Sequence, residues 1–314
     1  MLPRLTQLRY LVTVAEEGQM TRAARKLHLA QPALSQAIAQ LESELGVELL
    51  HRNPRGVTPT EAGEAFLAKA RTALAATEDA ALTAQSFARA ASGELRFGFL
   101  GLPPFDKAPQ LFARFNDAQP QAELSFHELG FPCGSTASWL AGVDMAMCFS
   151  PTPDPEVDVE PLWTEPRTVI ASKRHPLARR AKLTLKDVLD ETFLGCDPSV
   201  EETWAGFWRL DDHRGGRAAR VTSDCALSAS EMAALVASGR AITTLAASSA
   251  ALVPKVLADV VAIPLIDADP AVLAVAWRCD HHNPLVEAFV MVAREHVSSD
   301  GGAPAADAAD ALSS

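Results

Sequence analysis

A chain of 314 residues is long enough for two or three domains and at least one sizeable core. Its 48% hydrophobic and 21% charged residues are ordinary for a globular protein, and no apolar run approaches the ~20 residues that span a bilayer, so no membrane partner is expected. The net charge of −11 is unevenly spread: residues 1–58 hold seven Lys and Arg against five Glu, leaving the rest at −13. A mildly basic head on an acidic body suits nucleic-acid contact confined to one end. The start, MLPRLTQLRY, has no signal-peptide core, so a cytoplasmic location is expected. Five scattered cysteines without a CxxC pair argue against a disulfide scaffold or a zinc module.

In chain order, Leu5, Leu8, Leu11, Val12 and Ala15 predict a helix over 5–17, stopped by Gly18. Thr21 is the expected N-cap of a short helix through Leu27, and His28-Leu29-Ala30 a turn into a third helix with Pro32 in its first turn. This is a helix-turn-helix. In the third helix Leu34, Ile38, Leu41 and Leu45 share one face, while Gln31, Ser35, Gln36 and Gln40 share the other. That outer face is amide-rich and uncharged, and such side chains hydrogen-bond base edges in a DNA groove. Beyond Gly46, short apolar runs flank Asn53-Pro54-Arg55-Gly56 and predict a β-hairpin wing bearing Arg52 and Arg55.

From Thr60 and Glu61 a helix without Pro extends to about Ala91, some 40 Å or more at ~1.5 Å per residue. Leu67, Ala70, Leu74, Thr77, Ala81, Ala84 and Ala88 form an a/d-like seam suited to close packing on a second copy. Ser92-Gly93 ends it. Strand-like and helical stretches then alternate: 95–100, 107–118, 122–127, 135–141 and 145–149 predict βαβαβ and a parallel sheet. A second such series runs from 169 to 245. The segment 260–265 echoes 159–162, as if the chain crosses to a second unit and returns, and 272–278 with 284–296 complete the first. Residues 298–314 form a Gly/Ala/Ser tail expected to be disordered.

Several stretches together resemble the LysR-type bacterial transcription regulators: Leu8-Arg9-Tyr10-Leu11, Ala15 to Gly18, Ala23 to His28, Gln31 to Ile38, Leu41 to Gly46, Leu49 to Arg52 and Thr58 to Gly63. The resemblance covers nearly the whole chain. It implies an α/β protein with an N-terminal winged helix-turn-helix (1–59), a long linker helix for dimerisation (60–91), and an effector-binding domain (92–297) of two α/β subdomains like type 2 periplasmic binding proteins. Subdomain I would be 92–161 plus 266–297, and subdomain II 162–265. The implied function is sequence-specific transcription regulation by a homodimer or homotetramer on an interrupted palindrome of double-stranded DNA, with RNA polymerase as a further partner. A small-molecule effector would control it, and no other cofactor is implied.

Carried over by position, Gln31, Pro32, Ser35 and Gln36 would face bases and Arg52 and Arg55 the backbone or minor groove; Ala33 joins this DNA-binding set, and Thr21 serves as a simple N-cap, a phosphate contact or both. Two departures matter: Ala30 cannot cap the recognition helix, a difference typically worth ~1 kcal/mol, and Gln36 stands where many relatives carry Arg. The dimer seam would use Leu67, Ala70, Leu74, Thr77 and Ala81.

Ligands of two-subdomain α/β proteins bind in the crevice at the strands' carboxyl ends. The candidates there are Gly101, Leu102, Phe131, Ser135, Thr136, Phe149, Asp197, Ser199 and Ser223. The first loop is apolar where many relatives place Ser or Thr, which counts against an anionic aromatic effector at that wall. Cys196 and Cys225 near strand ends permit a redox-sensing alternative, though inert thiols are the simpler account. Asp280-His281-His282 lacks a third metal ligand at helical spacing. No nucleophile elbow, Walker loop, GxGxxG or HExxH is present, so no enzyme activity is expected. A small-molecule-binding protein without regulatory function is the other alternative, and residues 1–63 oppose it.

Overall fold

The computed structural model describes residues 2–53, 56–100, 107–131, 139–150, 154–196, 200–226 and 229–299. The chain divides into two compact units, Met1–Ala84 and Gln85–Ser314.

In the first unit, α1 (Leu5–Glu17), α2 (Met20–Lys26) and α3 (Gln31–Leu45) precede a hairpin of β1 (Leu50–Asn53) and β2 (Gly56–Pro59). Leu11, Val14, Leu34, Ile38, Leu41 and Leu49 close one core, each fully or almost fully buried. The buried face of α1 is Gln7, Leu8, Leu11, Thr13 and Val14, so the stripe is rotated from the expected one and Leu5 is exposed. Gly18 ends α1 at φ 61°, a left-handed conformation that glycine adopts without strain. Gln19, not Thr21, is the N-cap residue of α2; its extended backbone starts the helix one turn-step earlier and leaves Thr21 exposed in the first turn.

The long helix α4 (Glu61–Ser92) starts at Thr60, whose hydroxyl accepts from Gly63 N at 2.9 Å and donates to Glu48 O at 2.8 Å. A Cβ at Gly63 would stand 2.0 Å from Leu49 O, so only glycine lets α4 lie this close to the wing. Leu67 and Ala70 point into the core or close against it, at 1% and 3% exposure. They are therefore not the outward seam residues expected. Along the same helix Leu74 is half-buried while Thr77, Ala81, Ala84 and Ala88 are exposed.

The second unit takes in the last turns of α4, held by Arg89, which donates to both oxygens of Asp144 at 2.9–3.2 Å. Ser86 joins the same carboxylate at 3.1 Å, and Asp144 also accepts from Arg96 N at 2.9 Å. Next come β3 (Glu94–Leu100), α5 (Ala108–Ala118), β4 (Glu123–Leu129), β5 (Met145–Ser150), β6 (Val157–Glu165) and β7 (Arg167–Ser172). Then follow α6 (Leu185–Val188), β8 (Thr192–Cys196), α7 (Glu202–Arg209), β9 (Arg220–Ala226), α8 (Ala229–Ala237), β10 (Thr243–Ala246), α9 (Ala247–Ala250) and α10 (Val253–Val256). The chain ends with β11 (Val260–Pro264), β12 (Ala271–Arg278) and α11 (Pro284–Ser299).

Among the described residues one sheet has five strands in the order β4-β3-β5-β12-β6. The first three run parallel, as the βαβαβ pattern predicts, but β12 is antiparallel to both β5 and β6. The sheet is therefore mixed, because its last strand returns from the second subdomain against the direction of the others. Its core gathers Phe97, Phe115 and Phe289, with ring centroids 5.0–5.1 Å apart between Phe289 and the other two.

The second subdomain holds β10-β7-β11 and the parallel pair β8-β9, joined to β10's entry through Leu194 N donating to Ile242 O at 2.9 Å. All of β6 belongs to the first sheet, so the outward crossing falls at Pro166 rather than at 161/162. The echo of 159–162 is thus an alternating pattern in one strand of each sheet. The return runs between Leu265, bridged to Leu183, and Ala271. Helix α11 takes in residues 298 and 299, so the expected tail begins two residues later; the remainder lies outside the described residues.

Candidate DNA interface and effector cavity

On α3 the outward face is intact: Gln31, Pro32, Ala33, Gln36 and Gln40 are exposed and Ser35 is half-buried. Ala30 provides no side-chain cap. The turn between α2 and α3 places His28 at φ 54°, with Leu29 N bonded back to Ala24 O at 2.8 Å. Thr21 is exposed on α2, near Arg22 and Arg25, which are exposed too.

Arg52 stays exposed on β1 but has partners within the first unit. Its Nη1 donates to Ser35 Oγ at 3.0 Å and its Nη2 lies 3.6 Å from Glu42 Oε2. Glu42 in turn accepts from Leu49 N and Leu50 N at 2.9 and 3.0 Å, where the wing begins. Helix α3 and the wing are thus tied by one polar chain, Leu49/Leu50–Glu42–Arg52–Ser35. Sequence reasoning missed Glu42; its spacing from Leu49 and Leu50 gives no local periodic signal. Arg55 lies outside the described residues.

In the second unit a cavity of ≈ 60 Å³ lies between the subdomains, room for several waters or a small ligand. Leu100, Phe131 and Phe149 line it from the first subdomain. Leu194, Cys196, Trp204, Trp208 and Met232 line it from the second, with Arg209, Thr243, Thr244 and Ser249 as its polar residues. Trp204 and Trp208, one helical turn apart on α7, meet edge-on at 6.3 Å; Phe131 packs on Trp204 at 4.9 Å and Phe149 on Trp208 at 6.2 Å. Thr244 Oγ1 donates to Trp208 O at 2.6 Å. Arg209 bonds Glu202 and Asp211; burial works against its charge, but these two carboxylates outweigh it and raise its pKa.

The expected effector residues separate into three groups. Phe131 and Phe149 line the cavity. Gly101, Leu102, Ser135, Thr136, Asp197 and Ser199 lie outside the described residues. Ser223 is exposed in the middle of β9, not in a loop, because pairing with β8 continues to Ala226. The same pairing settles the cysteines' geometry: Cys196 is opposite Ala226 and lines the cavity, whereas Cys225 is opposite Gly195 and exposed on the other face. The two thiols thus face opposite sides of the pair. The aromatic wall of α7 was legible as Trp204 and Trp208 four residues apart, but loop-based reasoning did not use it.

Both crossings are gripped by Arg167, 1% exposed at the start of β7. It donates to Asp269 O on the return crossing and to Phe207 O on α7, both at 2.7 Å, and its guanidinium stacks over Phe207 at 4.2 Å. Burial lowers its pKa to about 10 against the opposing charges of Asp269 and Asp212. The histidine pair is used structurally: His282 stacks on Phe87 at 4.2 Å and His281 faces Glu287 at 3.3 Å.

Comparison with known proteins agrees with this anatomy. Residues 5–64 match the bacterial regulatory helix-turn-helix protein, lysR family, and residues 88–298 the LysR substrate binding domain. The HTH-type transcriptional regulator AlsR of Bacillus subtilis is 29% identical over 292 residues, covering 92% of this chain and 94% of AlsR. The HTH-type transcriptional regulator TfdS of Cupriavidus pinatubonensis is 30% identical over 289 residues, 92% of this chain and 97% of TfdS. The crystal structure of full-length BenM superposes with a TM-score of 0.51 at 26% identity, covering 96% of this chain and 99% of BenM. With a winged head matched over residues 5–64 and a two-subdomain α/β unit matched over 88–298, the chain belongs to the LysR family of DNA-binding transcription regulators.

Proposed function

We propose that the chain regulates transcription in the cytoplasm as a homo-oligomer, its heads paired through the outward face of α4 on an interrupted palindrome. A small-molecule effector binds in the cavity between the subdomains. Sequence choice falls to Gln31, Ser35 and Gln36, and the wing and α2 supply backbone contacts. The effector favours one arrangement of the two subdomains, which requires unequal affinity for the two; polymerase access changes in consequence. The observation that carries the reading is the cavity itself, an aromatic chamber whose walls come from both subdomains, beside crossings held by Arg167. A gel shift with the protein's own upstream DNA, followed by a thermal-shift screen of small metabolites, tests it. The expected outcome is sequence-specific binding and at least one metabolite that raises the melting temperature and alters the shift. A folded protein that binds no DNA even at low salt sinks the reading.

A further inference from the structure

We infer that the cavity takes a small uncharged, largely apolar ligand and disfavours a carboxylate, an inference resting on the effector role proposed for this cavity. Among the described residues, the cations and helix N-termini beside it are already matched by carboxylates of the chain itself. Arg209 in the wall bonds Glu202 and, at 2.9 Å, Asp211. The N-terminus of α7 is filled by Glu201, which accepts from Thr203 N at 3.0 Å and Trp204 N at 2.7 Å. Ser248 N, in the first turn of α9, donates to Glu165 at 2.9 Å, and the other oxygen of that carboxylate lies 3.7 Å from Lys107 Nζ.

A ligand carboxylate entering here would lose its hydration among Phe131, Phe149, Trp204 and Trp208 and gain no uncommitted cation from the described lining residues. A hydroxyl or N–H is better matched. Thr244 spends its proton on Trp208 O, which leaves its oxygen to accept.

The full chain is titrated by calorimetry and thermal shift with matched probes: benzyl alcohol against benzoate, and indole against indole-3-carboxylate. The neutral member of at least one pair is expected to bind saturably, with its carboxylate partner at least about tenfold weaker. Ala205→Leu, which fills the cavity, abolishes the binding; Ala246→Leu serves the same purpose from a second wall should the first fail to fold. A carboxylate that binds as tightly as its neutral partner, and is lost in the same variants, overturns the inference and leaves the effector site standing. If no probe binds, or binding survives both filled cavities, the effector reading of this cavity falls and the inference with it.

Discussion

At the scale of single residues, Arg52 shows how a side chain's partners redefine its role. An open cation on a wing would touch phosphate and weaken binding to every DNA sequence alike when removed. Here its guanidinium donates to Ser35, so that hydroxyl is oriented with its own proton free to donate outward. Arg52→Gln and Ser35→Ala are therefore expected to relax preference at the same base position when sites are selected from random DNA. A uniform loss of affinity, with the salt slope falling by about one, would mark a plain phosphate contact instead. Cys148 gives a pH-dependent case. Burial raises its thiol from 9.0 to about 12. An unfolded chain loses that proton as pH climbs past 9.0 while the folded chain keeps it, so this contribution to stability is present below 9.0 and is lost through the window up to about 12. Cys148→Ala should flatten the decline in urea midpoint between about pH 8 and 10 relative to the parent chain.

At the scale of elements, amphipathic period and stop signals made α1, α3 and the wing legible, because each depends on local spacing. Gly18 ends its helix in the left-handed conformation that a glycine stop implies, and Gly46 ends α3 in the same way. The parallel order of β3, β4 and β5 and the helix α5 were legible for the same reason, while the helix expected over 135–141 falls mostly outside the described residues. What stayed hidden depended on partners distant in sequence: Glu42 reaching the wing, Asp144 receiving Arg89, and Arg167 joining both crossings. The position of β12, antiparallel in an otherwise parallel sheet, also follows from the return path and not from its own residues. The Arg89–Asp144 pair yields a prediction for the end of α4. Both side chains are almost fully buried, and Asp144 also holds Arg96 N. Removing one partner leaves a buried charge, so Arg89→Ala is expected to destabilise the second unit by about 3–5 kcal/mol in urea unfolding. The paired replacement Arg89→Met with Asp144→Asn should be milder, since it leaves no lone charge.

For the whole molecule, the division of the seam residues decides how an oligomer could form. Leu67 and Ala70 serve the head's own core, so truncating Leu67 is a stability change of about 2–5 kcal/mol and says nothing about pairing. Thr77 and Ala81 are exposed in this chain, and substituting them leaves the protomer's packing untouched. If two copies meet along α4, a charge at either position is buried against its own copy in the partner, and like charges facing across a helix seam repel. Ala81→Glu is accordingly expected to shift sedimentation equilibrium toward monomer without lowering the thermal stability of the head. Binding to a full palindrome should then fall toward the affinity for a single half-site, because the second head no longer binds at the high effective concentration that linkage provides. Unchanged sedimentation in Ala81→Glu and in Thr77→Glu would place the pairing surface elsewhere on the chain. A shift in sedimentation with full-palindrome affinity intact would mean that the heads are not paired on DNA by this helix.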